Sequence, residues 1–194
     1  MRVVAGAARG RRLVAPRGLD VRPTTDRVKE ALFSSLQPRL PDAAVLDLFA
    51  GAGGLGLEAL SRGAATVTFV ERARPALEAL RRNLDAVGLP GGHVVTGDVH
   101  RALEGPLPGA PYDLVLADPP YELTDDELTT VLDVLVGHLA GHATVVIERA
   151  ARDAAPRWPA ELLPEEPRRY GGTALHRASR ATPDADPSPS RRAP

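Results

Sequence analysis

From position 44 onward the chain alternates short apolar runs with amphipathic stretches, which restricts it to strands buried between layers of helix. The predicted strands cover 44–49, 66–71, 93–96, 112–117 and 143–148, and the predicted helices 55–62, 75–87, 99–103 and 125–136. Pro75 suits a first helical turn and Gly88 a helix end. Strand and helix in regular succession give an α/β fold, a doubly wound and mainly parallel sheet. Two further strands, 166–170 and 173–177, flank Gly171-Gly172 and read as an antiparallel edge hairpin. Ahead of the sheet, 2–5 and 12–16 read as a small β-hairpin turning through Gly6 and Gly10, which must pack on the main domain or be ordered by a ligand. Thr24 and Thr25 then cap a helix with Val28, Ala31, Leu32, Ser35 and Leu36 on its buried stripe, ended by Pro38 and Pro41.

A chain of 194 residues that is 43% hydrophobic buries one core of ordinary size. The organisation expected is a basic N-terminal hairpin extension over 1–20, a main domain over 21–180 and a proline-rich disordered tail over 181–194. No apolar run is long enough to cross a bilayer and none resembles a signal segment, so a soluble cytoplasmic protein without a membrane partner is expected. The absence of cysteine excludes disulfides and thiolate metal sites. His138 and His142 are spaced as ligands are, but Gly137 and Gly141 flank them and no carboxylate completes a zinc set, so no metal is expected.

Charge is uneven along the chain. Residues 1–39 carry nine Arg or Lys against three acids, whereas 40–148 carry six against sixteen. Basic residues neutralise phosphates, so the N-terminal segment, with Arg9, Arg11, Arg12 and Arg17, is a candidate polyanion grip. The plainer account is compositional, since Lys29 is the sole lysine and Arg serves wherever a solvated cation is wanted.

The first predicted strand ends Asp47-Leu48-Phe49 and enters Ala50-Gly51-Ala52-Gly53-Gly54-Leu55-Gly56, placing G-x-G-x-x-G at Gly51, Gly53 and Gly56. Backbone there can approach a nucleoside cofactor closely. Glu71 ends the next strand, twenty positions past Gly51, where a carboxylate can accept from ribose hydroxyls. That spacing serves a nicotinamide cofactor as well as S-adenosylmethionine. Asp47 discriminates between them. An acid just before the turn suits the α-ammonium of S-adenosylmethionine, directly or through water, whereas a dinucleotide wants the helix N-terminus left free for pyrophosphate. Asp98, with Val99 beside it after the third strand, either holds the adenine amino group or caps the short helix that follows. The expected cofactor rim is Asp47, Phe49, Gly51, Gly53, Glu71, Asp98 and Val99.

Asp118-Pro119-Pro120-Tyr121 directly follows the fourth strand. Two prolines fix φ and remove amide donors, leaving a rigid loop of carbonyls and one carboxylate. An amino group conjugated to a ring is planar because its lone pair is delocalised. Accepting both its hydrogens, on Asp118 and the Pro119 carbonyl, localises that pair for attack on a sulfonium methyl. This is catalysis by positioning and electrostatics. Tyr121 can stack on the base, which must be flipped out or unpaired to reach the loop.

These residues resemble a known family, the RsmD-type guanine-N2 methyltransferases of small-subunit (16S) ribosomal RNA, over about residues 1 to 180. The resemblance rests on Gly6 to Leu13, on Arg22-Pro23-Thr24-Thr25-Asp26-Arg27-Val28-Lys29-Glu30-Ala31-Leu32-Phe33, on Asp47 to Gly53, on Asp118 to Tyr121 and on Tyr170 to Leu175. It implies a class I methyltransferase fold, S-adenosylmethionine as cofactor, and an Arg22 to Phe33 block, including Arg22 and Thr24, that borders the cofactor's methionine end. It also implies an N-terminal hairpin gripping RNA and a guanine target in a partly assembled small subunit. Ala8 stands where relatives often have an aromatic residue, and Gly172 where an acid is common. A monomer is expected. The competing readings are an amino methyltransferase acting on adenine N6 and a nicotinamide-dependent oxidoreductase, the latter leaving Asp118 to Tyr121 unexplained.

Overall fold

A computed structural model describes residues 1–16 and 26–181. Helix α1 (Asp26–Leu36) leads into β1 (Ala44–Leu48), α2 (Gly56–Ser61), β2 (Thr66–Glu71), α3 (Arg74–Val87), β3 (Gly92–Thr96) and α4 (Val99–Leu103). There follow β4 (Tyr112–Ala117), α5 (Asp125–Leu135), β5 (Leu139–Ala150), β6 (Leu162–Pro164), β7 (Arg168–Tyr170) and β8 (Thr173–Arg180). The sheet runs in the order β3-β2-β1-β4-β5-β8-β6, with β7 also paired to β8. Strands β1 to β5 are parallel, and β8 runs antiparallel to β5, β6 and β7.

Strand periodicity divides the core in two. Val45, Val67, Phe69, Leu114, Leu116 and Val146 pack with α1, α2 and α3, while Leu46, Leu48, Val70, Val115, Val145 and Ile147 pack with α4 and α5. Local signals set the helix ends. Gly88 takes φ 67 at the end of α3 and returns its N–H to the Leu84 carbonyl, and Thr124 with Glu127 forms a capping box on α5.

The N-terminal segment forms the expected hairpin, held by Val3 N–H to the Arg11 carbonyl, Gly10 N–H to the Val3 carbonyl and Leu13 N–H to the Met1 carbonyl, although its regular pairing is confined to one bridge between Arg2 and Arg12. Its outward backbone groups bond to the main domain, on which the hairpin packs. Val4 and Ala5 N–H donate to the Glu58 carboxylate (2.7 and 3.0 Å), Ala8 N–H to Ser61 Oγ, and Val14 N–H to Asn83 Oδ1. Val3, Ala8 and Leu13 are buried in the same core as α1 to α3. Gly6 (φ 83) lies so close to α2 that a Cβ there would stand 1.8 Å from the Ser61 carbonyl oxygen. Helix α1 buries Lys29 and Phe33 beyond the expected stripe, with Ala31 and Ser35 only half-buried. Strand β5 is longer than expected, and β6, three residues long, carried no periodicity to read. The capping threonines Thr24 and Thr25, Arg17, Arg22 and the tail beyond 181 lie outside the described residues. Among the described residues no helix is long and apolar enough to cross a membrane.

Candidate active site

Side-chain alternation carries Asp47, Glu71, Asp118 and Glu148 toward one face at the carboxyl edge of the sheet. Each lies two positions past a residue packed on the α1 to α3 side: Val45, Phe69, Leu116 and Val146. Ligands of open α/β sheets bind at this edge. Four carboxylates on neighbouring strands make the rim electronegative, a field that favours a cation and opposes a pyrophosphate.

The glycine turn crosses this rim. Phe49 (φ 57), Gly51 (φ 56) and Gly53 (φ 83) all adopt left-handed backbone, a strain of about 1 to 2 kcal/mol for the non-glycine Phe49. The glycines serve different ends. A Cβ on Gly51 would meet nothing within 4 Å, so this backbone faces open space. Gly53 and Gly56 instead admit Leu80, and Phe69 with Asp47, at distances no side chain would allow. Asp47, only 2% exposed, accepts the Gly56 N–H through Oδ2 (2.8 Å) and so anchors the start of α2. Burial, with Asp118 and Glu71 nearby, pushes its carboxyl well above the usual range, against the pull of the Gly56 bond. A cation over the turn would relieve that penalty.

Glu71 accepts from Gly51 N–H (2.8 Å) and from Arg72 and Ala73 N–H (both 2.7 Å). Of about four lone-pair directions on a carboxylate, these leave about one for a ribose hydroxyl. Asp98 does what the capping alternative expected: Oδ1 accepts from His100 and Arg101 N–H, and Oδ2 from Arg72 (3.2 Å). Its side chain stays 40% exposed at the rim. Val99 is buried by its side chain, so only its backbone can face a ligand there.

Asp118 to Tyr121 form one wall of an open cleft completed by Leu123, Glu148, Arg149, Ala150, Asp153, Gly172 and Thr173. The Pro120 carbonyl accepts Leu123 N–H and closes the turn, whereas among the described residues nothing donates to the Pro119 carbonyl. Tyr121 is 73% exposed, an aromatic face with no core to serve. Asp118 is exposed on the cleft wall, and the protein packed beside its carboxyl withdraws it from part of the bulk solvent. That desolvation, and then the Glu148 charge, push its carboxyl up to about 7. Glu148 escaped the sequence reading; an acid closing the apolar run 143–147, as Glu71 closes its own strand, was the available signal.

Arg9, Arg11 and Arg12 are all exposed, and among the described residues none pairs with a carboxylate. The segment bearing them reaches the glycine turn at both ends: Met1 sulfur lies against Gly54, and Asn83 joins the Val14 backbone to the Ala52 carbonyl.

The family model described as conserved hypothetical protein 95 matches residues 1–178. Ribosomal RNA small subunit methyltransferase D of Escherichia coli strain K12 is 38% identical over 162 residues, 82% of this chain and 80% of the relative. The chain belongs to this RsmD-type methyltransferase family. A solved Escherichia coli structure described as a candidate methyltransferase superposes with a TM-score of 0.81 at 33% identity, covering 93% of this chain and 98% of that one. Magnesium protoporphyrin IX methyltransferase from Synechocystis, solved with bound S-adenosylmethionine, shares the fold at a TM-score of 0.62 and 16% identity, covering 80% of this chain and 79% of that one. The RsmD-type chain therefore has the class I S-adenosylmethionine-dependent methyltransferase fold and is a methyltransferase.

Proposed function

We propose that the protein transfers a methyl group from S-adenosylmethionine to the exocyclic N2 of a guanine in 16S ribosomal RNA, as a monomer acting on a partly assembled small subunit. The observation that carries this reading is the Asp118 to Tyr121 loop, set with an acceptor carboxylate and an exposed aromatic beside an electronegative glycine-turn rim. The relatives' printed activity, small-subunit ribosomal RNA methylation, supports the substrate class.

The residues present fit S-adenosylmethionine. The buried Asp47 carboxyl would hold the α-ammonium, Glu71 a ribose hydroxyl and Asp98 with the Val99 backbone the adenine, while the Gly51 backbone leaves the turn open on that side. Phe49 and Gly53 hold the turn in shape. Arg22 and Thr24 would border the methionine end. Bound there, the cofactor supplies an electrophilic methyl on a sulfonium. Asp118 and the Pro119 carbonyl accept the two amino hydrogens and localise the nitrogen lone pair, while Tyr121 stacks on the ring and Pro120 holds the loop rigid. As the N–CH3 bond forms and the S–CH3 bond breaks, its electron pair returning to sulfur in a neutral thioether leaving group, Asp118 takes the proton the nitrogen sheds and passes it to solvent.

The direct test is incubation of the protein with S-adenosylmethionine and either 16S ribosomal RNA or small-subunit particles, followed by mass spectrometry of the digested nucleosides. N2-methylguanosine is expected. N6-methyladenosine as sole product would overturn the reading in favour of the adenine alternative, and calorimetric binding of NAD rather than S-adenosylmethionine would overturn it altogether.

A pH profile follows from the Asp118 carboxyl. Ionised, it accepts amino hydrogens strongly and can take the proton the nitrogen sheds; protonated, it accepts only weakly through its carbonyl oxygen and cannot take that proton. Activity per free enzyme should therefore rise with pH through about 7 and level off above it. In Glu148→Gln the nearby negative charge is gone, so the rise should move to lower pH, but not to the ordinary aspartate range because desolvation is the larger cause. A profile flat between pH 6 and 8, to choose about one unit either side of that value, would remove Asp118 as the titrating group.

For RNA, replacing Arg9, Arg11 and Arg12 with alanine should weaken binding and flatten its salt dependence. Each phosphate left without its arginine lowers the log–log slope by about 0.7 on single-stranded RNA, so about 2 in total. Cofactor affinity should hold. Substitution is required, since deleting the segment would strip Val3, Ala8 and Leu13 from the core. An unchanged slope would make these arginines ordinary surface.

A further inference from the structure

Parallel pairing sets Ala117 of β4 beside Ile147 of β5, so the next residues, Asp118 and Glu148, leave adjacent strands side by side. Neighbouring strands stand about 4.8 Å apart. Both carboxylates line the cleft that holds Tyr121, and the charge of Glu148 is felt at Asp118. Like charges so placed are costly until hydrogen-bond donors arrive between them.

We propose that Glu148 is the residue that selects guanine, accepting the ring N1–H while Asp118 and the Pro119 carbonyl hold the amino group. This inference rests on the guanine-N2 reading above. The chemistry of the base edges supports it. Guanine presents N1–H and the two N2 hydrogens in a row, three donors that meet two carboxylates and a carbonyl. Adenine presents two amino hydrogens beside N1, a bare acceptor, whose lone pair would face the Glu148 carboxylate. A site built to pair with a donor rejects an analogue that lacks it, because its own acceptor is then left desolvated and unpaired. The next side chain along β5 does not compete for this role. Arg149 lines the same cleft but is held by Asp125 (2.9 Å) and Asp153 (3.5 Å), and its guanidinium can only donate, so it cannot accept the ring N1–H.

The probe is 2-aminopurine, which keeps the N2 amino group but carries a bare N1. Once the methylated guanine has been mapped, 16S ribosomal RNA is assembled by ligation with guanine or 2-aminopurine at that position. Methyl transfer is then compared as kcat/KM at about pH 8.5, where Asp118 is ionised in every variant. The wild type should prefer guanine by about 10- to 100-fold. Glu148→Gln, whose amide can donate to a bare N1, should shrink that preference to within about threefold, and Glu148→Ala should lose it while slowing both substrates. S-adenosylmethionine affinity and Tm measured on each variant identify a folded enzyme. Full retention of the guanine preference in both folded variants would overturn the assignment of Glu148, as would a wild type indifferent to 2-aminopurine. Failure of the wild type to form N2-methylguanosine at the mapping step would instead overturn the functional reading itself.

Discussion

Asp118→Ala is expected to lower kcat for methyl transfer by about three orders of magnitude while leaving S-adenosylmethionine affinity within about twofold of wild type. The size follows from what is removed. A preorganised acceptor aimed at a reacting group typically contributes about 10²- to 10³-fold, and correct placement of the nucleophile adds to it. The side chain touches neither the glycine turn nor Glu71, which keep their own bonds to backbone N–H groups. Cofactor binding therefore has no reason to fall, and its neighbour Asp47 would even be relieved of one repelling charge. Asp118→Asn separates acceptor from charge: the amide oxygen still takes one amino hydrogen, so a smaller loss is expected, together with disappearance of the pH dependence near 7. Stopped-flow methyl transfer and calorimetry on the same preparations decide the matter. Loss of cofactor binding in Asp118→Ala would move the residue into the cofactor site.

Asp118 was legible because its signal is local. A carboxylate, two prolines and a tyrosine after an apolar run describe both a strand end and a rigid acceptor loop, whatever packs around them. Strands β1 to β4 were legible for a related reason: burial on both faces leaves apolar runs that turns must bound, and the observed ends fall within one residue of those read from sequence. Glu148 was not, because its meaning depends on register. Only the pairing of Ala117 with Ile147 sets it beside Asp118. Asp47 and Glu71 were found at the right rim, yet much of their bonding capacity holds backbone, Gly56 N–H for one and three N–H groups for the other. Sequence spacing could place these acids near a cofactor but could not say how much of each carboxylate the turn itself consumes. The N-terminal hairpin could be read as a hairpin, but two short apolar stretches around glycines give no hint of what it packs on, a helix more than fifty residues away to which its backbone bonds.

That helix carries the second large effect. Glu58 is fully buried, and its carboxylate accepts Val4 N–H (2.7 Å), Ala5 N–H (3.0 Å) and Arg62 Nε (2.7 Å), with Lys29 Nζ at 3.6 Å. Lys29, 2% exposed, also donates to the Arg2 carbonyl, and burial pulls its ammonium below the usual lysine range. Glu58→Ala should destabilise the fold by about 3 to 5 kcal/mol, because it strands a buried ammonium, the Arg62 guanidinium and two part-buried N–H groups at once. Against a total of about 5 to 15 kcal/mol for a domain, this brings the protein close to unfolding at physiological temperature. Urea denaturation measures it, and a loss below about 1 kcal/mol would show that water or rearrangement replaces the carboxylate. A double variant distinguishes the charge from the backbone contacts. Replacing Lys29 with Met and Glu58 with Leu removes the stranded ammonium, which alone would restore most of the stability if the ion pair were the whole story. Recovery should be partial, since Val4 and Ala5 still lack acceptors. The remaining deficit then combines the lost Arg62 contact with the cost of seating the N-terminal segment, and with it the Met1 and Asn83 contacts that tie Arg9, Arg11 and Arg12 to the back of the glycine turn.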